Sequence, residues 1–434
     1  MDDTIQITCI LIIFFMVISI FYKVLINKSL DFFSFVVVFV FSTLVFILPQ
    51  FAIIYDKLND HLLTPITVQI TLCILCTIIG CNIKLSLGNS KWQNPLEKMF
   101  HEEYLSLYSI VFLFISSYGF VKLLGSESAL GTQWSGKDVM YNFFYTTYRY
   151  ALVCSSVGYF KTKKKCFLFL LLLSSLFMLD RILIGGRRTD FVYFAIAIGI
   201  PYFYYTKAKI KIMLLIPAVI IAFQALTFMV ALRSVTINGK GFGSALSGVS
   251  LPKIEEILSA NEKLKKKDNR AAELNACCYS MEAVDRYSAY NYGAIYWNSI
   301  IKDFVPASVV GNEVKDNIML PTKKYKLEGY AIFTGSTTTG FFDTYSAFGY
   351  FGCLFFMFMA MFMNSIYKRA TNNNTFYMIF YLCTIVDSLH AVTHRSSLFI
   401  SGILTFVIWL TIIHFVIKFI QLFSNSHKTN IQTS

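Results

Sequence analysis

Arginines stand at the ends of several apolar runs. Arg181, Arg187 and Arg188 fall together in DRILIGGRRTDF, Arg233 leaves one run, and Arg286 lies in an aromatic stretch. Arg395 joins the last two runs, and Arg149 lies inside another. A guanidinium is permanently charged and matches phosphate oxygens in a two-pronged geometry, so a gathering of them suits a diphosphate. The competing explanation is that these side chains reach toward a membrane surface or pair with Asp180 and Asp190.

A second set sits near the C-terminus. Asp387, His390 and His394 follow the spacing i, i+3, i+7, which puts all three on one helical face. A histidine oriented by a carboxylate can act as a general base toward a sugar hydroxyl. A closed metal site would need more nitrogen or sulfur ligands than this face offers, so no metal is expected. Tyr290 and Trp297, in a stretch that also holds Tyr279, Tyr287, Tyr292 and Tyr296, could stack on sugar rings or anchor at lipid headgroups. The GKGFGSALSG stretch lacks the Lys-Ser/Thr ending and preceding strand of a phosphate loop, so an ATP-driven pump has no support and no cofactor is expected. KLKKK at 263–267 reads as a solvated face.

Something must hold these residues, and composition says what. Of 434 residues, 56% are hydrophobic and only 15% charged, with 43 Phe and 26 Tyr. Soluble domains carry roughly 25% charge, and a single soluble core stops growing near ~250–300 residues. Lipid resolves the conflict. A span needs about 20 apolar residues, and eleven runs qualify: 5–25, 33–55, 64–83, 104–124, 141–160, 166–184, 190–206, 211–232, 345–366, 375–392 and 397–421. The acidic start, MDDTIQIT, lacks signal-peptide features, so the first run is expected to be a retained helix. Eight of the ten cysteines lie in or beside apolar runs and read as small hydrophobes.

The net charge of +13 would suggest nucleic acid in a soluble protein. Here Lys161, Lys163, Lys164 and Lys165, then Lys207, Lys209 and Lys211, crowd short connections on one side of the expected membrane, which is the cytoplasmic signature. No nucleic-acid partner is expected. The expected organisation is all-α and polytopic: spans one to eight over 1–232, a large external loop over 233–344, three spans over 345–421 and a cytoplasmic tail over 422–434.

With these residues in place, the sequence resembles the Wzy-type O-antigen (oligosaccharide repeat-unit) polymerases of bacterial envelopes. IGGRRTDFVYFAIAIG (184–199) resembles that family's short periplasmic turn entering a helix, and Arg188 and Gly199 fit an R-x(10)-G spacing. FVPASVVGNEV followed by GSTTTGFFDTYSAFGYFGCLF resembles the end of the family's large loop, and HRSS (394–397) the polar turn before its last span. No second R-x(10)-G occurs at Arg233 or Arg286.

The resemblance implies a GT-C-like helical bundle in the bacterial inner membrane with its active face periplasmic. It implies an inverting, metal-independent glycosyltransferase whose donor and acceptor are both undecaprenyl-diphosphate-linked oligosaccharides, working beside a chain-length regulator protein. On that reading Arg187, Arg188 and Arg286 hold the diphosphate and Arg395 assists, with Arg233, Tyr290 and Trp297 lining the substrate. His394 or His390, oriented by Asp387, activates the acceptor hydroxyl. Arg188→Ala and Arg286→Ala are each expected to abolish chain extension. The rival readings are an O-antigen ligase and a non-enzymatic flippase of the lipid-linked unit.

Overall fold

The computed structural model describes residues 2–26, 31–55, 57–83, 85, 100, 102–124, 137–183, 187–208, 271–332 and 337–432. Among these residues every regular element is a helix. They are α1 (Asp2–Leu25), α2 (Phe35–Ile54), α3 (Asp60–Asn82), α4 (Glu102–Leu124), α5 (Lys137–Tyr145), α6 (Tyr148–Thr162), α7 (Lys165–Leu183) and α8 (Arg188–Thr206). After them come α9 (Ala272–Arg286), α10 (Ala294–Phe304), α11 (Ala307–Val310), α12 (Asn312–Ile318), α13 (Gly340–Phe348), α14 (Cys353–Ala370), α15 (Thr375–Thr393) and α16 (Ser397–Gln432). Seven helical stretches among the described residues are long and apolar enough to cross a membrane, so this is a helical, polytopic membrane protein. Hydrocarbon leaves backbone amides no partner outside the chain, and a helix satisfies them internally.

Most expected spans coincide with helices to within a few residues. Two are broken. The run expected at 141–160 is the pair α5 and α6, parted at Thr146–Thr147. The run expected at 345–366 begins earlier, at Gly340, and turns through a 3-10 segment, Gly349–Gly352, before α14. Gly349 there has φ +59°, a conformation that side chains with a Cβ resist. The expected span at 211–232, Arg233, the glycine-rich stretch and KLKKK lie outside the described residues.

The chain divides into two compact units. The first holds residues 1–88, 268–372 and 384–404. Its centre is α3 against α14, where a Cβ on Gly80 would lie 2.2 Å from the Met357 carbonyl oxygen, so the two backbones touch. Phe356 stacks on Phe341 (5.2 Å between rings) and meets Phe39 edge-on (5.7 Å). α9, which belongs to the segment expected as the external loop, packs on α2, α3 and α13 and buries Leu274, Cys277, Cys278, Met281 and Val284. The Gln50 side-chain oxygen accepts the Leu274 amide at 3.1 Å and ties α9 to α2.

The second unit holds residues 89–267, 373–383 and 405–434. The α5–α6 break is stabilised from α4. Ser116 donates to the Tyr145 carbonyl (2.7 Å), Thr147 donates its hydroxyl toward the Phe112 carbonyl (3.1 Å), and a Cβ on Gly119 would lie 2.5 Å from the Tyr145 amide. The Ser116 hydroxyl on a neighbouring helix thus satisfies a carbonyl that the break frees, as a membrane interior demands.

Candidate functional site

The α5–α6 break gives the second unit its chemistry. It brings Asn142 and Tyr145 at the end of α5, and Tyr148 and Arg149 at the start of α6, to the α7–α8 turn. There Asp190, fully buried in the first turn of α8, is the hub. Its Oδ1 meets Arg149 at 2.5 Å and accepts the Tyr148 phenol at 3.2 Å, while its Oδ2 accepts Arg181 Nε at 3.0 Å. Arg181, also buried, donates to Asn142 Oδ1 (3.2 Å) and lies 5.5 Å from the centre of the Tyr145 ring. Arg149 stands 5.4 Å from the Tyr193 ring centre. Two of the arginines therefore pair internally with Asp190, the competing explanation offered by the sequence.

Arg187 is different. It caps α8 in extended backbone and is half-buried, and no side-chain hydrogen bond or ion pair engages it among the described residues. The positive charge of Arg181 beside it, followed by burial, lowers its pKa to about 9. Among the described residues three guanidiniums crowd two carboxylates here, since Asp180 also borders the cluster, so one positive charge of this set is in excess. That surplus lies at the N-terminal end of α8, where exposed amides add positive potential. The side chain of Arg188 lies outside the described residues, as does Arg233.

The first unit holds the histidine set. Asp387 and His390 share a face of α15 with Oδ1 and Nδ1 3.8 Å apart, and the His390 and His394 rings lie 5.5 Å apart between centres. His394 Nδ1 is 2.8 Å from the Thr393 hydroxyl. Asp387 and His390 therefore share the helical face, while His394, whose amide bonds to the His390 carbonyl at 2.8 Å, follows the end of α15 and lies exposed with Arg395 on the α15–α16 turn. Gly402 on α16 leaves room for Asp387, because a Cβ there would lie 2.3 Å from its Oδ2.

Arg286, at the end of α9, is exposed and bonded to both Glu282 and Glu328. Its charge is matched by these two carboxylates, which leaves less of it for a diphosphate. Tyr290 donates to Asp285 Oδ1 (2.5 Å), as does Tyr345 (2.9 Å), so the Tyr290 phenol is engaged within the protein. Trp297 donates its indole N–H to the Ile318 carbonyl at 2.8 Å and keeps a ring face partly exposed.

Two functional candidates escaped the sequence reading. Asp190 stood there only as a pairing alternative, and its role as hub needs the α5–α6 break, which no motif announces. Asp343 lay in a stretch read as the end of a loop. It is buried in α13, and its Oδ2 accepts the Ser396 amide at 3.0 Å. No protein-family model matches the chain, and neither a curated protein nor a solved structure matches it.

Proposed function

We propose that the protein is a glycosyltransferase that polymerises undecaprenyl-diphosphate-linked oligosaccharide repeat units, an O-antigen polymerase acting at the periplasmic face of a bacterial inner membrane. The observation that carries the reading is the surplus guanidinium, Arg187, standing beside a buried Arg149–Asp190–Arg181 network. A departing lipid diphosphate gains charge in the transition state, and fixed cations at a water-poor boundary stabilise that charge strongly. Arg149 and Arg181 are spent on Asp190. Their part is to fix the network beside which Arg187 stands, with Arg188 next to it in sequence. Arg286, matched by carboxylates, has a lesser part.

His394, with His390 and Asp387 behind it, supplies the base for the acceptor hydroxyl, and Arg395 lies next to it. The lipid diphosphate already activates the donor sugar, so the transfer needs no nucleotide. Deleting the gene and running the surface glycolipid on a gel tests the reading. A polymerase loss leaves lipid A core capped by one repeat unit. Bare core would overturn the proposal in favour of a ligase or a flippase, and normal polymer would overturn all three.

A further inference from the structure

The α15–α16 turn leaves His394 and Arg395 exposed, yet its underside is fixed at several points. A Cβ on Gly340 would lie 1.8 Å from the Ala391 carbonyl oxygen and 3.0 Å from the Ser396 amide nitrogen, so α13 starts directly on this turn. One turn further along α13, the buried Asp343 accepts the Ser396 amide. The Ser396 hydroxyl is hydrogen-bonded to the Tyr296 phenol of α10 at 3.1 Å, and Ser401 donates to Asp303 at the end of α10 at 2.7 Å. Ser396 immediately precedes α16, whose first turn exposes amides without helical partners, and a carboxylate is the favoured group there. Arg395 lies within electrostatic reach of the same carboxylate.

We propose that Asp343 is the positioning residue for the proposed transferase site: through the Ser396 amide it sets the turn that presents His394 and Arg395. This rests on reading that turn as part of the site. The chemistry explains why the residue is acidic. An apolar side chain would fill the same space but leave the Ser396 amide buried without an acceptor, and such a group destabilises its surroundings. Asparagine fills the space too, and its amide oxygen can accept the bond.

Leucine and asparagine at position 343 therefore separate packing from positioning. The full-length protein in lipid nanodiscs is compared as wild type, Asp343→Leu and Asp343→Asn, by amide hydrogen exchange over residues 391–400 and by chain extension in cells. Asp343→Leu is expected to raise exchange in that segment by several-fold to about tenfold, the effect of losing a buried hydrogen bond, and to stop extension. Asp343→Asn is expected to restore both in large part. Equal behaviour of Leu and Asn, or unchanged exchange in Leu, would overturn the proposal. Where Asp343→Leu does not accumulate, Asp343→Glu takes its place: it keeps the charge but displaces the oxygen, and unchanged exchange there is likewise an overturning result. Altered exchange with normal extension would leave Asp343 positioning the turn but remove the turn from the transferase site, the failure of the functional reading rather than of this one.

Discussion

Gly402 lies so close to Asp387 that a methyl group on it would stand 2.3 Å from the carboxylate oxygen. Real side chains never approach so closely, so α15 and α16 meet here only because position 402 has no side chain. Gly402→Ala must push Asp387 aside and pull it from His390. The expected outcome is a loss of chain extension with the protein still inserted in the membrane, read from the surface glycolipid and from the amount of protein. Full extension in this variant would mean that Asp387 has no role in orienting the histidine.

Gly199 provides the contrast. It is the glycine of the R-x(10)-G spacing, yet a Cβ on it would meet nothing within 4 Å among the described residues. It sits inside α8, where glycine weakens a helix by roughly 0.5–1 kcal/mol relative to alanine. Gly199→Ala should therefore raise the melting temperature and leave extension intact. A destabilised variant would show that the position is packed after all.

Removing Asp190 should be costly. Asp190→Ala strands two buried or half-buried guanidiniums, and breaking one side of a buried pair costs about 3–5 kcal/mol. The loss should appear as a large fall in thermal stability in detergent. A melting temperature equal to wild type would mean that water reaches the cluster.

Arg187 should behave in the opposite way. Among the described residues no carboxylate bonds to it and Arg181 repels it, so Arg187→Ala should keep its stability and lose extension. Arg187→Lys should recover only part of the activity, because an ammonium lacks the planar fork that grips a diphosphate. Wild-type polymer from Arg187→Ala would sink the diphosphate role. By the same logic Arg286→Ala, at a site already matched by Glu282 and Glu328, should reduce extension without abolishing it. A complete loss with protein intact would return Arg286 to the diphosphate.

Much of the helical layout is legible from hydropathy, because lipid tolerates few alternatives to a long apolar helix. What composition conceals is where such a helix stops and restarts. The break at Thr146–Thr147 depends on Ser116 and Gly119, some thirty residues away in sequence, and it alone brings Tyr148 and Arg149 to Asp190. The residue types at the arginine cluster were visible, but which of them were already spent was not. Arg149, Arg181 and Arg187 look alike in the sequence, yet the first two bond directly to Asp190 and Arg187 meets it only electrostatically. The Asp387–His390 face was legible, being local and periodic. Asp343 was not, because its partner, Ser396, lies 53 residues away on the turn before α16.

The concentration of arginine around Asp190 bears on how the protein could be controlled. A guanidinium paired with a carboxylate keeps its proton over the range in which living compartments operate, but Arg187, lowered to about 9 by Arg181 and by burial, begins to discharge in mild alkalinity, so the proposed grip on an anionic lipid would weaken first on the alkaline side.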